Sequence, residues 1–372
     1  MFPSTIFTLC FSFQVAEAAV HHLFVGTFGA ASLYTLAFDD EALTLELVKN
    51  NTASAGHSWI SFDHDKKNVY AVAGSAVASY TVQNDTSLRF DASVPVGGNC
   101  SSVHEIFVTA SQISPYSVYA VPFGGSASCG TVLSVSSNGT LSHVAQNYTY
   151  LSTSGVHGLA FSPNGQFMYS ADDSANSLWT HKVDSQTGEL TYIDRVVAPQ
   201  TGADPRHVAV HPEGGYAYVV FEGTSKLAVY SLDNTTGIPT FTNVTFPLIP
   251  EGYNATLYWS DEVALSFSGS YLWATSRGHQ TNLTGYISAF SLTASGSISS
   301  QLFLAPTTTS GGAANAVAPA DFSDQWAALT DSELGAVEIW RLESNGNGSK
   351  AEIVATLNIE DNGCCANAIW YD

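Results

Sequence analysis

Apolar and polar positions along the chain follow one repeated order. An apolar run comes first, then a turn carrying Pro or Gly, then a second apolar run ending in acidic or small residues, then a third, alternating run. "VHGLAFSPNGQFMYSADDSANSLWTHKVD" (156–184) and "PRHVAVHPEGGYAYVVFEGTSKLAVYSLD" (205–233) show the order in full. It returns in "EVALSFSGSYLWATSRG" (262–278) followed by "GYISAFSL" (285–292), and in "NAVAPADFSDQWAALTDSELGAVEIWRL" (315–342). An earlier copy is "SWISFDHDKKNVYAVAGSAVASYTV" (58–82), and "HEIFVTASQISPYSVYAVPF" (104–123) is a degenerate one. Several copies add a fourth run, such as "LTYIDRVV" (190–197). Short runs of this kind, rich in β-branched and aromatic residues and bounded by turn formers, predict β-strands.

Six units spaced by roughly 45–55 residues match the period of four-stranded propeller blades. The chain ends complement each other. "HHLFVGTF" (21–28), "SLYTLAFD" (32–39) and "LTLELVKN" (43–50) supply strands two to four, while "ANAIWYD" (366–372) supplies a lone strand one. Together they make a seventh blade, and closure removes the open sheet edges of a linear repeat. The expected fold is an all-β seven-bladed propeller in which residues 19–372 form one domain. A sandwich would not need its last strand to finish its first unit.

In a propeller, strand one of each blade lines the axis and strand two runs back beside it. The start of strand one and the end of strand two therefore share a face. That bookkeeping brings His157, Arg206, Glu222 and Arg277, from blades three to five, to one mouth. His57, Asn315 and Asn367 begin strand one of other blades and are expected to help bind substrate there. Concave mouths of this kind are common ligand sites. Two of only five arginines meet at this point. Arg206 and Glu222 also read as an ion pair joining the ends of one hairpin. His64, His207 and His211 read as structural, and Asp172 and Asp173 as turn formers; Asp331 ends a second strand.

Composition narrows the partners. The chain carries 11 basic and 32 acidic residues, a net charge of −21. Such a surface repels nucleic acid and anionic membranes. A small anionic substrate therefore needs local cations, which the mouth supplies. No long apolar run follows the N-terminus, so no membrane span is expected. The first residues, "MFPSTIFTLCFSFQVAEAAV", read as a secretory signal over 1–18, with Ala16-Glu17-Ala18 as the cleavage pattern. Sequons at Asn50, Asn84, Asn99, Asn138, Asn147, Asn234, Asn243, Asn254, Asn282 and Asn347 agree with export and glycosylation. Dense glycosylation favours a monomer. Cys10 lies in the signal. Cys100, Cys129, Cys364 and Cys365 remain, an even number suited to an oxidising compartment. The blade map places Cys100 and Cys129 on one face, fit to pair. Cys364 and Cys365 form a vicinal disulfide or stay as thiols. No histidine cluster accompanies them at metal-ligand spacing.

The segments "GVHGLAFSPNGQFMYSADD", "DPRHVAVHPEGGYAYVVFEG", "ALSFSGSYLWATSRG" and "NAIWYD" resemble the seven-bladed lactonase family. "SWISFDHDKKNVYA", "LWTHK", "FPLIP" and "QLFLAPTTTSGG" are similar to its fungal carboxy-cis,cis-muconate cyclase branch. The resemblance runs from about residue 21 to the C-terminus. It implies a cycloisomerase that uses no metal or organic cofactor and lactonises 3-carboxy-cis,cis-muconate or a related polycarboxylate. It also implies that His157, Arg206, Glu222 and Arg277 are the pocket residues. Departures accompany it: Ala313 or Ala314 stands where the family carries a polar side chain. The segments 71–80 and 97–107 also lack basic residues expected from it.

Arg206 and Arg277 suit two-point binding of carboxylates and the charge that grows in the transition state. His157 is the candidate proton donor, with a side chain that ordinarily titrates near neutral pH. Glu222 could keep His157 protonated, orient Arg206 or act as the acid. Two other functions fit the same residues: a secreted sugar-lactone hydrolase, and a binding propeller without catalysis.

Overall fold

The computed structural model describes residues 19–97, 100, 103–124, 128–345, 348–360 and 363–372. The signal over 1–18, Cys10, Asn99 and Asn347 lie outside the described residues. Seven four-stranded antiparallel sheets make an all-β propeller. Blade one runs from Ile60–Phe62 to Ser87–Pro95, blade two from Glu105–Ala110 to Leu141–Thr149, and blade three from Val156–Phe161 to Leu190–Val197. Blade four runs from Pro205–Val210 to Pro239–Pro247, blade five from Tyr258–Leu265 to Ile298–Pro306, and blade six from Val317–Pro319 to Gly348–Asn358. Blade seven is built from both ends of the chain, in the order Ala368–Tyr371, Val20–Val25, Ser32–Asp39, Thr44–Thr52. Its closing pair holds Leu23 opposite Trp370.

Burial explains why the second strands are continuously apolar. Asn68–Val72 and Val118–Pro122 are buried at every position, because each sheet is covered by a neighbouring blade on both faces. The hydrophobic clusters lie between blades. Tyr119 and Val121 of blade two pack with Leu159, Met168 and Trp179 of blade three, and Tyr218 and Val220 of blade four pack with Val263, Leu272 and Phe290 of blade five. Outermost strands such as Thr44–Thr52 are mostly exposed.

A repeated tyrosine contact joins several blades to the next. Tyr70 donates its hydroxyl proton to the Gly139 carbonyl at 2.7 Å, and Tyr119 does the same to Gly188 at 2.7 Å. Both glycines hold positive φ in the turn between the third and fourth strands (82° and 76°), where other residues are strained.

Two disulfides are present, Cys100–Cys129 and the vicinal Cys364–Cys365 pair just before the closing strand. Cys100–Cys129 links points 29 residues apart, with Cα atoms separated by 5.8 Å. Loop-closure entropy sets its contribution at roughly 3–4 kcal/mol. Cys100→Ser should lower the unfolding free energy from urea titration by a matching amount, and intact mass should rise by two hydrogens per bridge after denaturing reduction. An unchanged mass would refute both bridges.

Candidate active site

The inner strands of blades two to five break their pairing register at one place each. The breaks fall between Glu105 and Phe107, Val156 and Gly158, Pro205 and Val208, and Ser260 and Val263. Such β-bulges release side chains from strict in–out alternation and re-aim them. The residues inside are Ile106, His157, the pair Arg206–His207 and the pair Asp261–Glu262. Ile106, His157, Arg206 and Asp261 line one cavity of about 300 Å³ at the axial mouth. Glu222 reaches it from the 3-10 turn Glu222–Thr224 that follows Tyr216–Phe221, and Arg277 from the end of Tyr271–Gly278.

The cations are held in a buried lattice of charge. Arg206 binds Glu222 Oε2 through Nη1 and Asp261 Oδ1 through Nη2, each at 2.8 Å. Arg277 donates to the Ala313 carbonyl, and its Nε stands 3.6 Å from Asp261. It also lies over the Trp259 ring, 5.4 Å from the centroid, a cation–π arrangement. A guanidinium has five N–H donors, so both arginines keep donors beyond these partners. Burial works against ionised Asp261, but Arg277 and Arg206 hold its carboxyl below the usual range. Formally, Glu222 and Asp261 offset the two arginines.

The cavity is two-sided. Blades three to five bring the charged groups. The rest of the wall is Phe28, Trp59, Ile106, Phe123, Ala313, Ala314 and Ala366 around Ser58. The Phe123 ring packs on His157 with centroids 4.9 Å apart. His157 is only 5% exposed. Burial, then the charges of Arg206, His207 and Arg277, push its pKa well below the ordinary histidine value, so the imidazole is neutral near pH 7. The expectation of an imidazole titrating near neutrality is therefore corrected.

The four residues placed at the mouth by strand order all line the cavity. His57, Asn315 and Asn367 do not. The His57 ring is turned into its blade, with Nδ1 2.6 Å from the Val72 carbonyl oxygen and Nε2 2.6 Å from the Tyr80 hydroxyl. Asn367 receives the Ile60 amide and donates to the Ile60 carbonyl, stitching blade seven to blade one. Asn315 donates its amide N–H to Asp261 Oδ2 at 2.8 Å and its side-chain NH₂ to the Ser276 carbonyl, so it braces the site from behind. Asp172 and Asp331 cap turns, as Asp172 accepts from Gly155 and Ala175 amides and Asp331 from Glu333 and Leu334 amides. Burial and the nearby Glu222 and Asp204 charges push Asp173 up to about 7. His64 stacks on Tyr116, and His211 receives the Glu213 amide in a turn, so both are structural.

Sequence reasoning missed Asp261, Trp259, Trp59, Ile106, Phe123 and Phe28. Asp261 was detectable: it occupies the same place in blade five as Arg206 in blade four. His207, read as structural, does not line the cavity. It is buried, with Nε2 3.0 Å from His157 Nδ1.

The seven-bladed ring is the architecture named in the family described as "Lactonase, 7-bladed beta-propeller". Residues 22–313 match that family's model, and the chain belongs to it. It is 41% identical over 369 residues to the carboxy-cis,cis-muconate cyclase of Neurospora crassa, an alignment covering 95% of this chain and all of that one. It is 28% identical to muconate cycloisomerase 1 of Cutaneotrichosporon cutaneum, covering 86% and 90% of the two chains. The periplasmic gluconolactonase of Pseudomonas aeruginosa shares the fold, with a TM-score of 0.79 at 17% identity over 95% of this chain and 99% of that one.

Proposed function

We propose that the protein is a cycloisomerase that closes a lactone within an unsaturated polycarboxylate, 3-carboxy-cis,cis-muconate or a close relative. The observation that carries this reading is the pair of buried guanidiniums, Arg206 and Arg277, beside His157 in one small cavity. The likeness to a muconate cyclase along nearly the whole chain supports it.

The chemistry follows from the groups present. A substrate carboxylate oxygen bonds to a carbon of the conjugated C=C. The π pair moves to the neighbouring carbon and spreads onto a second carboxylate. Arg206 and Arg277 bind carboxylates by planar hydrogen bonds and stabilise that charge as it grows. The carbon then takes a proton, delivered from His157 Nε2, the ring nitrogen not engaged by His207. An ionised acid has become an ester, so each turnover takes up one proton from solution. Glu222 orients Arg206 through their 2.8 Å contact.

Loss of the diene absorbance of 3-carboxy-cis,cis-muconate, matched by proton uptake, is the expected result with purified protein. KM should fall as ionic strength rises, because salt screens the −21 chain from a polyanion while the cavity's own charges cancel. No diene loss at high enzyme concentration would refute the reading.

That cancellation of charge favours a second reading, hydrolysis of a neutral sugar lactone, with His157 as the base that activates water. Acid release from gluconolactone with no action on the diene would establish it. We also read the protein as secreted and glycosylated. The eight sequon asparagines among the described residues are all exposed, and the disulfides suit an oxidising compartment.

A further inference from the structure

Two buried groups behind the cavity have no part in the chemistry above. His207 sits in the blade-four bulge next to Arg206, and Glu262 in the blade-five bulge next to Asp261. They are 2% and 7% exposed. His207 Nδ1 stands 2.9 Å from Glu262 Oε2, and His207 Nε2 stands 3.0 Å from His157 Nδ1. The three side chains form a line from blade five through blade four to blade three, ending at the cavity wall.

The surroundings hold this line in place. The His207 ring packs against Trp59 and Phe107, with centroids 4.9 and 5.4 Å away, and those two rings touch each other at 4.7 Å. Gly158 makes the space. A Cβ at that position would meet the His207 ring at 2.6 Å and the Arg206 carbonyl oxygen at 2.8 Å. Glu262 Oε1 accepts the Val263 amide at 3.0 Å, and among the described residues its one cationic partner is His207.

We propose that His207, held by Glu262, is a proton reservoir that acts through His157 on the reacting carbon. The proposal rests on the cycloisomerase reading. A buried carboxylate requires a compensating cation. Its oxygens only accept, so a protonated His207 Nδ1 faces Glu262 as a close ion pair, out of line for a hydrogen bond. With a second proton on Nε2, the His207 imidazolium donates to His157 Nδ1. That contact fixes the His157 proton on Nε2, toward the cavity.

A neutral imidazole is by itself a weak acid, and His157 is kept neutral by burial and by Arg206, His207 and Arg277. Coupling removes the difficulty. As the substrate carbon takes the Nε2 proton, His157 Nδ1 takes the Nε2 proton of His207. The electron pair freed at His157 Nε2 remains there as a lone pair, and the positive charge of His207 is spent. A solvent proton arriving at His157 Nε2 reverses the inner transfer and recharges His207. The charged groups facing the relay are Arg206, Arg277 and Glu262, with Asp261 and Glu222 beyond Arg206. His207 and Glu262 are thus positioning residues, while His157 touches the substrate.

The test uses the whole chain and two variants, His207→Phe and the near-isosteric Glu262→Gln. Ring ¹⁵N NMR at about pH 7 should show both nitrogens of His207 protonated in the wild type, and a neutral ring in Glu262→Gln. On the muconate, His207→Phe should lose roughly a hundredfold in kcat while KM changes less than about twofold. Glu262→Gln should move the alkaline limb of the kcat profile to lower pH. A neutral His207 in the wild type would overturn the proposal, as would an unchanged kcat profile in both variants. A wild type without turnover would instead end the cycloisomerase reading, and the NMR arm would still report on the reservoir without substrate.

Discussion

Replacing Arg206 with alanine is expected to lower kcat/KM on the muconate roughly a thousandfold, the usual cost of removing a preorganised donor from developing charge. Two effects combine in this variant. The substrate loses one planar carboxylate clamp, and Glu222 and Asp261 lose their 2.8 Å partner. Asp261 is buried and retains Arg277 at 3.6 Å, so it stays ionised and turns the cavity net negative. A polyanion is then repelled where it was bound. Arg206→Lys separates the two effects. It restores a charge without the planar fork, so it should recover substrate affinity more than kcat. Steady-state kinetics on both variants, taken below the melting temperature of the weaker one, decide the matter. Arg206→Ala retaining about a tenth of wild-type kcat/KM or more would remove Arg206 from the mechanism.

Glu105→Gln is expected to stabilise the fold at alkaline pH and to flatten its pH dependence. Glu105 opens the inner strand of blade two, beside the bulged Ile106, and is 2% exposed. Neither carboxylate oxygen has a hydrogen-bond partner among the described residues. Burial pushes its pKa up to about 8, from an ordinary 4.5. The folded chain therefore keeps a proton that the unfolded chain releases between those values. Stability from this group is complete below pH 4.5 and is lost as pH rises through about 8. At roughly 1.4 kcal/mol per pH unit, the loss amounts to about 4–5 kcal/mol. Glutamine cannot ionise and escapes it. Urea unfolding at about pH 5 and about pH 8.5 should show the wild type weakening relative to the variant by that order. Parallel pH curves would show that Glu105 ionises freely in the fold.

The blade count and the split seventh blade were legible because each unit repeats an apolar run, a turn and a second run. His157, Arg206, Glu222 and Arg277 were legible because strand order alone sends their positions to the axis. What stayed hidden was the local register. Ordinary alternation sends neighbours to opposite faces, so His207 beside Arg206 reads as a core residue, and Asp261 beside Glu262 is passed over. The bulges at 205–208 and 260–263 turn both members of each pair inward. His57 and Asn367 failed for the converse reason. They precede their strands, where the backbone is free to spend their side chains on Tyr80 and Ile60.

The shared blade also governs how this molecule is born. Val20–Val25 leaves the ribosome hundreds of residues before its partner Ala368–Tyr371 is made. Throughout synthesis one edge of that first sheet shows open N–H and C=O groups to whatever chain is nearby. The ring cannot lock early, and each nascent chain waits with an adhesive edge until Ala368–Tyr371 arrives. Long-range closure of this sort folds slowly and is open to mispairing. Removal of the four residues Ala368–Tyr371 would leave six complete blades and still make that waiting permanent.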